Sequence, residues 1–471
     1  MGKHGEFTVE VSAKDGAIDR ITVLDSRETP GMGDVAMEKM TQAIIDNQTL
    51  AVDTISGATL TSMAFLTAVG SALDAMGESA DDWKNREPAA WVSDVELPEE
   101  ADVVVVGAGG AGFAAAITAA NEGKSVVPMD KMGVFGGDTA LSGGEMAVPG
   151  NWIQVTQGIE DSPENLVSDM LVGGDNKGDP ELVAIIANGA LDSANWLTYE
   201  GGVSWKHDLM QFGGHNIKRS IIPITHSGSE MTTKLTNRVN GMDDIVLIDN
   251  TKAVELVTDG AGAATGALLY VGDVRLENHG ILVNREGDRF VQELDRRDVI
   301  SNGIKNQTDG VAFLLFDQAA ADETGLLKQH ADEYENSEAR GVIVKADTLD
   351  DVAKAQGVDA EELKKTVEKW NQYCADGKDP DFGYSAEMNV IGDGPYYLMA
   401  CKPAVHYTMG GLHITPEAEV LTVEGAPIAG LYAAGEVAGH KMGTNRLGSC
   451  SMTDIYTFGR IAGKNAADYA A

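Results

Sequence analysis

Basic residues are scarce in this chain. Lysine and arginine together number 35 against 73 aspartates and glutamates, a formal charge of −38 at pH 7. A surface this acidic repels phosphodiester backbones and anionic bilayers, so nucleic acid is excluded as a partner. An anionic substrate would need positive charge focused at its own site, and each arginine therefore carries more weight. Cysteine is nearly absent: Cys374, Cys401 and Cys450 stand far apart with no CxxC or CxxCH spacing. That excludes a disulfide framework, a zinc site and attached c-type haem, and no metal is expected. No apolar run approaches the ~20 residues of a membrane span, and MGKHGEF lacks the apolar core of a signal peptide. The expected compartment is the cell envelope if a leader was removed from the chain, and otherwise the cytoplasm. With 471 residues, 43% of them hydrophobic, the chain can build two to four domains with sizeable cores.

What is present centres on Ala101 to Met146. Val103 to Val106 have the length and β-branching of a buried parallel strand, and Gly107, Gly109 and Gly112 follow directly with GxGxxG spacing. The first glycine permits a tight turn, the second lets backbone approach a pyrophosphate, and the third lets the following helix, Ala111 to Glu122, lie close on the sheet. Phosphates would sit at that helix's N-terminus, where free N–H groups and the dipole favour an anion. A second strand, Ser125 to Met129, ends at Asp130, eighteen residues after Gly112 and placed for a ribose hydroxyl. Gly136-Gly137-Asp138-Thr139 and Ser142-Gly143-Gly144 then offer backbone amides and hydroxyls without bulk. Gly137, Thr139 and Gly144 are candidates to line the cofactor.

The N-terminal part reads as a smaller unit. Gly5 to Leu24 alternate about a Lys-Asp-Gly turn, a hairpin pattern, and helices are expected over Val35 to Ile45 and Met63 to Met76. Gly77 to Glu100 are acidic and irregular and read as a linker, with Trp83 and Trp91 pinning it to neighbouring surfaces. Further on, Ser162 to Ser204 are mainly helical. Asp244 to Leu256 and Gly266 to Val271 read as strands, and Ile281 to Phe290 as strand, turn and strand. Asp347 to Gln372 carry two short helices. Gly430 to Glu436 form a strand ending in an acid, Glu436, able to bind a ribose, and Ser451 to Tyr469 a final amphipathic helix.

Two sets of motifs resemble known families. ETPGMG at 28–33 followed by DTISGATLTS at 53–62 resembles the small domain that carries FMN through a phosphoester to a threonine, the last residue of D-x-x-S-G-A-T, here Thr59. Such a linkage needs a hydroxyl acceptor, small neighbours such as Gly57 and Ala58 to admit a modifying enzyme, and Asp53 for recognition. The GAGGAG unit, ILVNREGDRF with its Arg-Arg-Asp, HYTMGG, GLYAAGE and NRLG resemble the flavoprotein subunit family of fumarate reductase and succinate dehydrogenase, especially soluble fumarate and urocanate reductases with an added FMN domain. The resemblance implies FAD, held non-covalently, in the glycine loop. It implies a reductase of a C=C bond beside a carboxylate, in which hydride leaves FAD N5 and an arginine, Arg297 by motif position, delivers the proton. Arg297 would be resupplied through Asp298 or Glu293. His406 and Arg446 match the family's carboxylate-binding residues, and Arg275 a further arginine in a register shifted by one.

The implied fold is α/β: a Rossmann-like FAD-binding domain with an inserted, truncated α+β capping domain and a small N-terminal α+β FMN domain. The expected boundaries are 1–80 for the FMN domain, 81–100 for the linker, 101–272 and 396–471 for the FAD-binding domain, and 273–395 for the cap. Between Tyr270 and Leu276 the family carries many tens of residues that this chain lacks, including a strand ending Ala-Thr-Gly-Gly and a substrate His and Thr-Glu pair. Expected partners are a small carboxylate, an external electron donor (a quinol-linked cytochrome or a reduced flavin or flavoprotein) and a flavin transferase. Two other readings stay open: an electron-transfer flavoprotein without its own turnover, and an oxidative flavin dehydrogenase.

Overall fold

The computed structural model describes residues 8–14, 16–89, 95, 98–253, 280–295, 297–325, 327, 331–384, 388–402 and 407–470. They fall into two compact units, Met1–Gly262 with Thr408–Ala471, and Ala263–Tyr407.

The first unit opens with the expected hairpin, Thr8–Lys14 antiparallel to Ala17–Asp25. Helices Gly33–Asn47 and Thr59–Ala75 cover it. In the first helix Ala36, Met37, Met40, Ala43 and Ile44 recur at helical spacing, and they bury against Ile18, Ile21, Phe65, Val69 and Leu73. Trp83, on the short helix Ala80–Lys84, is 1% exposed and belongs to the same core. The stretch expected as linker from 81 therefore begins inside this core, and Ala89 still pairs with Val52. Trp91 lies outside the described residues.

Next comes the parallel pair Val103–Val106 and Val126–Met129, in register from Val103↔Val126 to Val106↔Met129. Helix Gly110–Asn121 makes the crossover. Ile245 and Ile248 add parallel bridges to Val126 and Met129, while residues 254–279, which include the strand expected at Gly266 to Val271, lie outside the described set. The 20-residue helix Cys450–Tyr469 lies on the crossover helix. A β-carbon at Gly459 or Gly463 would strike the backbone of Ala111 or Ala115, so only glycine permits this approach. The C-terminal stretch thus completes a fold begun more than three hundred residues earlier.

Two expectations shift. Val103–Val106 is not buried on both faces: Val104 and Val106 are 56% and 61% exposed, because no described element covers the face they share. The strand expected at Gly430 to Glu436 runs instead over Pro427–Tyr432, paired antiparallel with Glu419–Leu421, and the chain turns before Glu436.

The second unit is α+β. Its four-stranded antiparallel sheet runs in the order Ile343–Ala346, Tyr396–Cys401, Ala312–Asp317, Ile281–Val283. Helices Leu349–Gln356 and Ala360–Asp376 are the two expected from the sequence, and they bury Val352, Leu363, Val367 and Trp370 against Phe313, Leu315 and Leu398.

Candidate functional site

The glycine loop has the shape its spacing predicts. A β-carbon at Gly112 would lie inside the Gly107 carbonyl oxygen, so the turn closes only on glycine. Gly107 adopts φ +103° with open space beyond it, and at Gly109 the nearest atom to an added β-carbon is Gly136 O, 3.7 Å away. The loop is therefore sealed beneath and open above, a cradle fitted to a pyrophosphate at the start of Gly110–Asn121. We expect Gly112→Ala to purify without FAD and to lose about 1–3 kcal/mol from overpacking; flavin absorbance and a melting curve check both.

Asp130 anchors this loop. Its carboxylate accepts from the amides of Ala108 (2.8 Å) and Met132 (2.9 Å) and is 9% exposed. The second glycine cluster locks on beside it. Gly136 N donates to Ala108 O (2.8 Å), Gly109 and Gly136 form a parallel bridge, and Thr139 Oγ1 accepts from Gly110 N (3.3 Å). Gly137 begins the short helix Gly137–Leu141, and Gly144, at φ +78°, passes within 3.0 Å of Gly228 N by its would-be β-carbon. Asp130, Gly136, Gly137 and Thr139 meet around one loop, and Gly144 stands apart against Gly228. Glu436 accepts from Thr408 N (2.6 Å) and Thr408 Oγ1 (2.9 Å), tying GLYAAGE to HYTMGG.

Thr59 is exposed at the first position of helix Thr59–Ala75, and its hydroxyl makes no hydrogen bond among the described residues. Its neighbours are the ones engaged. Ser62 Oγ accepts from Ile55 N (3.1 Å) and donates to Ala58 O (2.9 Å), and the Thr61 hydroxyl meets the buried Glu28 carboxylate. The local fold thus leaves the Thr59 hydroxyl outward beside Gly57 (φ +92°), as it does the exposed Thr54 and Ser56, and an outward hydroxyl is the chemistry a phosphoester acceptor needs. The turn is seated on the loop that follows Asp130: Gly133 N donates to Ser56 O (3.2 Å), and a Gly57 β-carbon would stand 2.8 Å from Val134. Lys39 secures this contact, donating to Gly133 O (2.6 Å) and ion-pairing with the buried Asp249.

Arg446 is 7% exposed and donates from Nη1 to Leu447 O (3.2 Å). In the second unit Arg297 lies on helix Arg297–Lys305; its side chain and that of Asp298 are outside the description, as are His406 and Arg275. Glu293, expected as a proton relay, is 3% exposed and accepts from Leu282 N (3.0 Å) and from Arg289 (2.9 and 2.7 Å). It is held as a structural partner. Asp379 (3.1 Å) also engages Arg289, and these partners raise the guanidinium pKa against burial.

Sequence reasoning missed a buried cluster. Arg219 is 0% exposed between Asp161 (2.8 Å) and Asp169 (2.6 Å) and contacts His215 Nδ1 (3.1 Å). Burial, assisted by the Arg219 charge, lowers the His215 pKa to about 4 although its bond to Gly448 O opposes this. Burial also pushes the adjacent Cys450 thiol up to about 12. A lone Arg in SIIP context carries no motif, and its partners lie up to 58 residues away. Among the described residues no group of three His, Cys, Asp or Glu could hold a metal, and no helix is long and apolar enough to cross a membrane.

A glycine cradle closed by the C-terminal helix, with a hairpin-and-helix domain presenting an outward threonine, defines a two-flavin protein. Residues 102–279 and 272–452 match the FAD binding domain model, and residues 2–74 match the FMN-binding domain model. The chain belongs to the FAD-binding family of the fumarate reductase flavoproteins. It is similar to a urocanate reductase of Eggerthella lenta, 46% identical over 550 residues that take in 99% of this chain and 91% of that protein. It is also similar to a cytochrome-type fumarate reductase of Shewanella frigidimarina, 31% identical over 78% of this chain and 77% of the relative. Among solved structures, the open conformation of a flavocytochrome c3 fumarate reductase matches with a TM-score of 0.66 at 28% identity, covering 79% of each chain.

The comparison with the urocanate reductase extends over 550 positions against 471 residues here, so at least 79 positions have no counterpart in this chain. The two matches to the FAD-binding model overlap at residues 272–279, a stretch that shares residues with the interval from Tyr270 to Leu276 where the family resemblance implies a missing segment.

Proposed function

We propose that this chain reduces the C=C bond of an α,β-unsaturated carboxylate, with electrons entering singly through FMN esterified to Thr59 and passing to FAD in the glycine loop. The observation that carries the electron path is the seating of the Thr59 turn on residues 132–134, which follow Asp130 and precede the second glycine cluster. When bound, FAD supplies a hydride to one alkene carbon. The chain supplies the rest. Arg446, on the NRLG turn, donates to the substrate carboxylate, and His406 adds a further donor by motif position. These cationic and polar donors offset the repulsion that a net charge of −38 imposes on an anion, and they draw negative charge toward the carboxylate as the hydride arrives. Arg297 gives the second carbon its proton and is reprotonated through Asp298, since Glu293 is committed to Arg289. The net change is two electrons and two protons added across the double bond.

The 46% identity to a urocanate reductase supports urocanate as the enoate. In an anaerobic panel with reduced methyl viologen, urocanate is expected to give the highest kcat/KM among urocanate, fumarate and acrylate; a preference of about tenfold for fumarate or acrylate contradicts this choice. We also propose that an external flavin or cytochrome donor feeds FMN and that a flavin transferase attaches it. The domain boundaries 1–80, 101–272 with 396–471, and 273–395 form part of this reading, with either the cell envelope or the cytoplasm as its compartment.

A further inference from the structure

The turn Arg446–Ser449 is held from beneath by groups that the reaction does not use. Leu447 is plugged between two glycines: a β-carbon at Gly214 would stand 2.5 Å from its Cδ2, and one at Gly173 would strike the same side chain. Gly448 lies against Phe212, where any side chain would strike the ring. Ser449 adopts φ +62°, a conformation L-residues rarely take, and is pinned by Ser220 Oγ (2.6 Å) and by Ala147 N on its carbonyl (3.3 Å).

The Gly448 carbonyl takes two donors: Ser449 Oγ from within the turn (2.6 Å) and His215 Nε2, which lies 2.9 Å away and is the one that comes from outside the turn. The imidazole tautomer follows from its other neighbour. Arg219 Nη1 lies 3.1 Å from His215 Nδ1, and a guanidinium only donates, so Nδ1 accepts and Nε2 carries the hydrogen given to Gly448 O. Arg219 is itself fixed: Nε and Nη2 donate to Asp161 (2.8 and 3.1 Å), Nη1 to Asp169 (2.6 Å), and Nη2 to Asn216 Oδ1 (2.8 Å). Its charge is consumed by two buried carboxylates and is not offered to a substrate.

We propose that His215 and Arg219 are positioning residues for Arg446: Arg219 sets the imidazole, and the imidazole N–H fixes the Gly448 carbonyl and hence the turn from which Arg446 meets the substrate carboxylate. The proposal rests on the reading of Arg446 as a carboxylate ligand. It explains why a fully buried, doubly paired arginine stands beneath a loop whose only charged side chain is Arg446.

The test uses the two-flavin protein and the best substrate of the urocanate, fumarate and acrylate panel. His215→Leu should raise KM about tenfold, the worth of one lost hydrogen bond, with kcat within about threefold and FAD content unchanged. His215→Gln, whose amide can accept from Arg219 and donate to Gly448, should restore most of the loss. Should His215→Leu fail to fold, Arg219→Lys is expected to raise KM in the same way, because an ammonium cannot reproduce the guanidinium fork. Unchanged KM in the folded variant, or equal KM in His215→Leu and His215→Gln, overturns the proposal. Arg446→Lys is the control: if it leaves KM unchanged, the carboxylate-ligand reading fails and takes this proposal with it.

Discussion

Thr59→Ala is expected to carry no covalent flavin while keeping its fold and its FAD. On a denaturing gel the fluorescent band of the parent should vanish, and the intact mass should fall to that of the unmodified polypeptide. The loss is chemical and not structural. Thr59 is the first residue of helix Thr59–Ala75 and is exposed, and its hydroxyl makes no hydrogen bond among the described residues, so it is not a cap. Alanine is the better helix former, by a few tenths of a kcal/mol, and stability should hold or rise slightly. The turn's own order comes from Ser62 and Thr61, which the substitution does not touch. Thr59→Ser retains an acceptor and should keep some covalent flavin. A fluorescent band of undiminished intensity from Thr59→Ala would show that FMN is attached elsewhere.

Arg297→Gln should lower kcat by about 10²–10⁴-fold, the usual worth of a positioned proton donor, at unchanged FAD content. Its melting temperature should stay near the parent's, because the role proposed for Arg297 is in turnover. A residue kept for the fold gives the opposite pattern, with kcat near the parent's and a lower melting temperature. Arginine stays protonated at any working pH, which makes it a poor acid on its own and a dependable one when resupplied. We propose Asp298 for that purpose, because the Glu293 carboxylate lies buried against Arg289 and the Leu282 amide.

What the sequence disclosed and what it withheld follow from chain distance. Gly107, Gly109 and Gly112 act within one turn, and the steric demand at each is local: the clash of a Gly112 β-carbon with Gly107 O is visible as a pattern before any fold is known. The hairpin and the helices of the first unit were legible for the same reason. Trp83 was expected to pin a linker to a neighbouring surface, and its indole lies in one core cluster with Phe65 and Leu73; what composition hid is that the stretch from 81 begins inside that core. The exposed edge of Val104 and Val106 was hidden because β-branching reports strand propensity, not what covers the strand. At the site, Asp130 was placed by its distance from the glycines, yet its partners, the Ala108 and Met132 amides, could not be read. Least visible was the cluster of His215 and Arg219. Its contact with Gly448 spans 233 residues, and buried polar pairs of that range leave no periodic trace. The Lys39 contact with Asp249, 210 residues away, was hidden in the same manner although it fastens the flavin-bearing turn to the glycine-loop region.

The two-flavin chain reduces an enoate with a sequence at least 79 positions shorter than its alignment with the urocanate reductase. The most direct test is anaerobic oxidation of reduced methyl viologen by the fully flavinylated protein on addition of urocanate, followed by product analysis. The account predicts two viologens oxidised for each urocanate consumed, and a product heavier by two hydrogens across the former double bond. No viologen oxidation by urocanate, fumarate or acrylate at full FAD and FMN occupancy would contradict it, and would leave a chain that carries electrons between flavins without a substrate of its own.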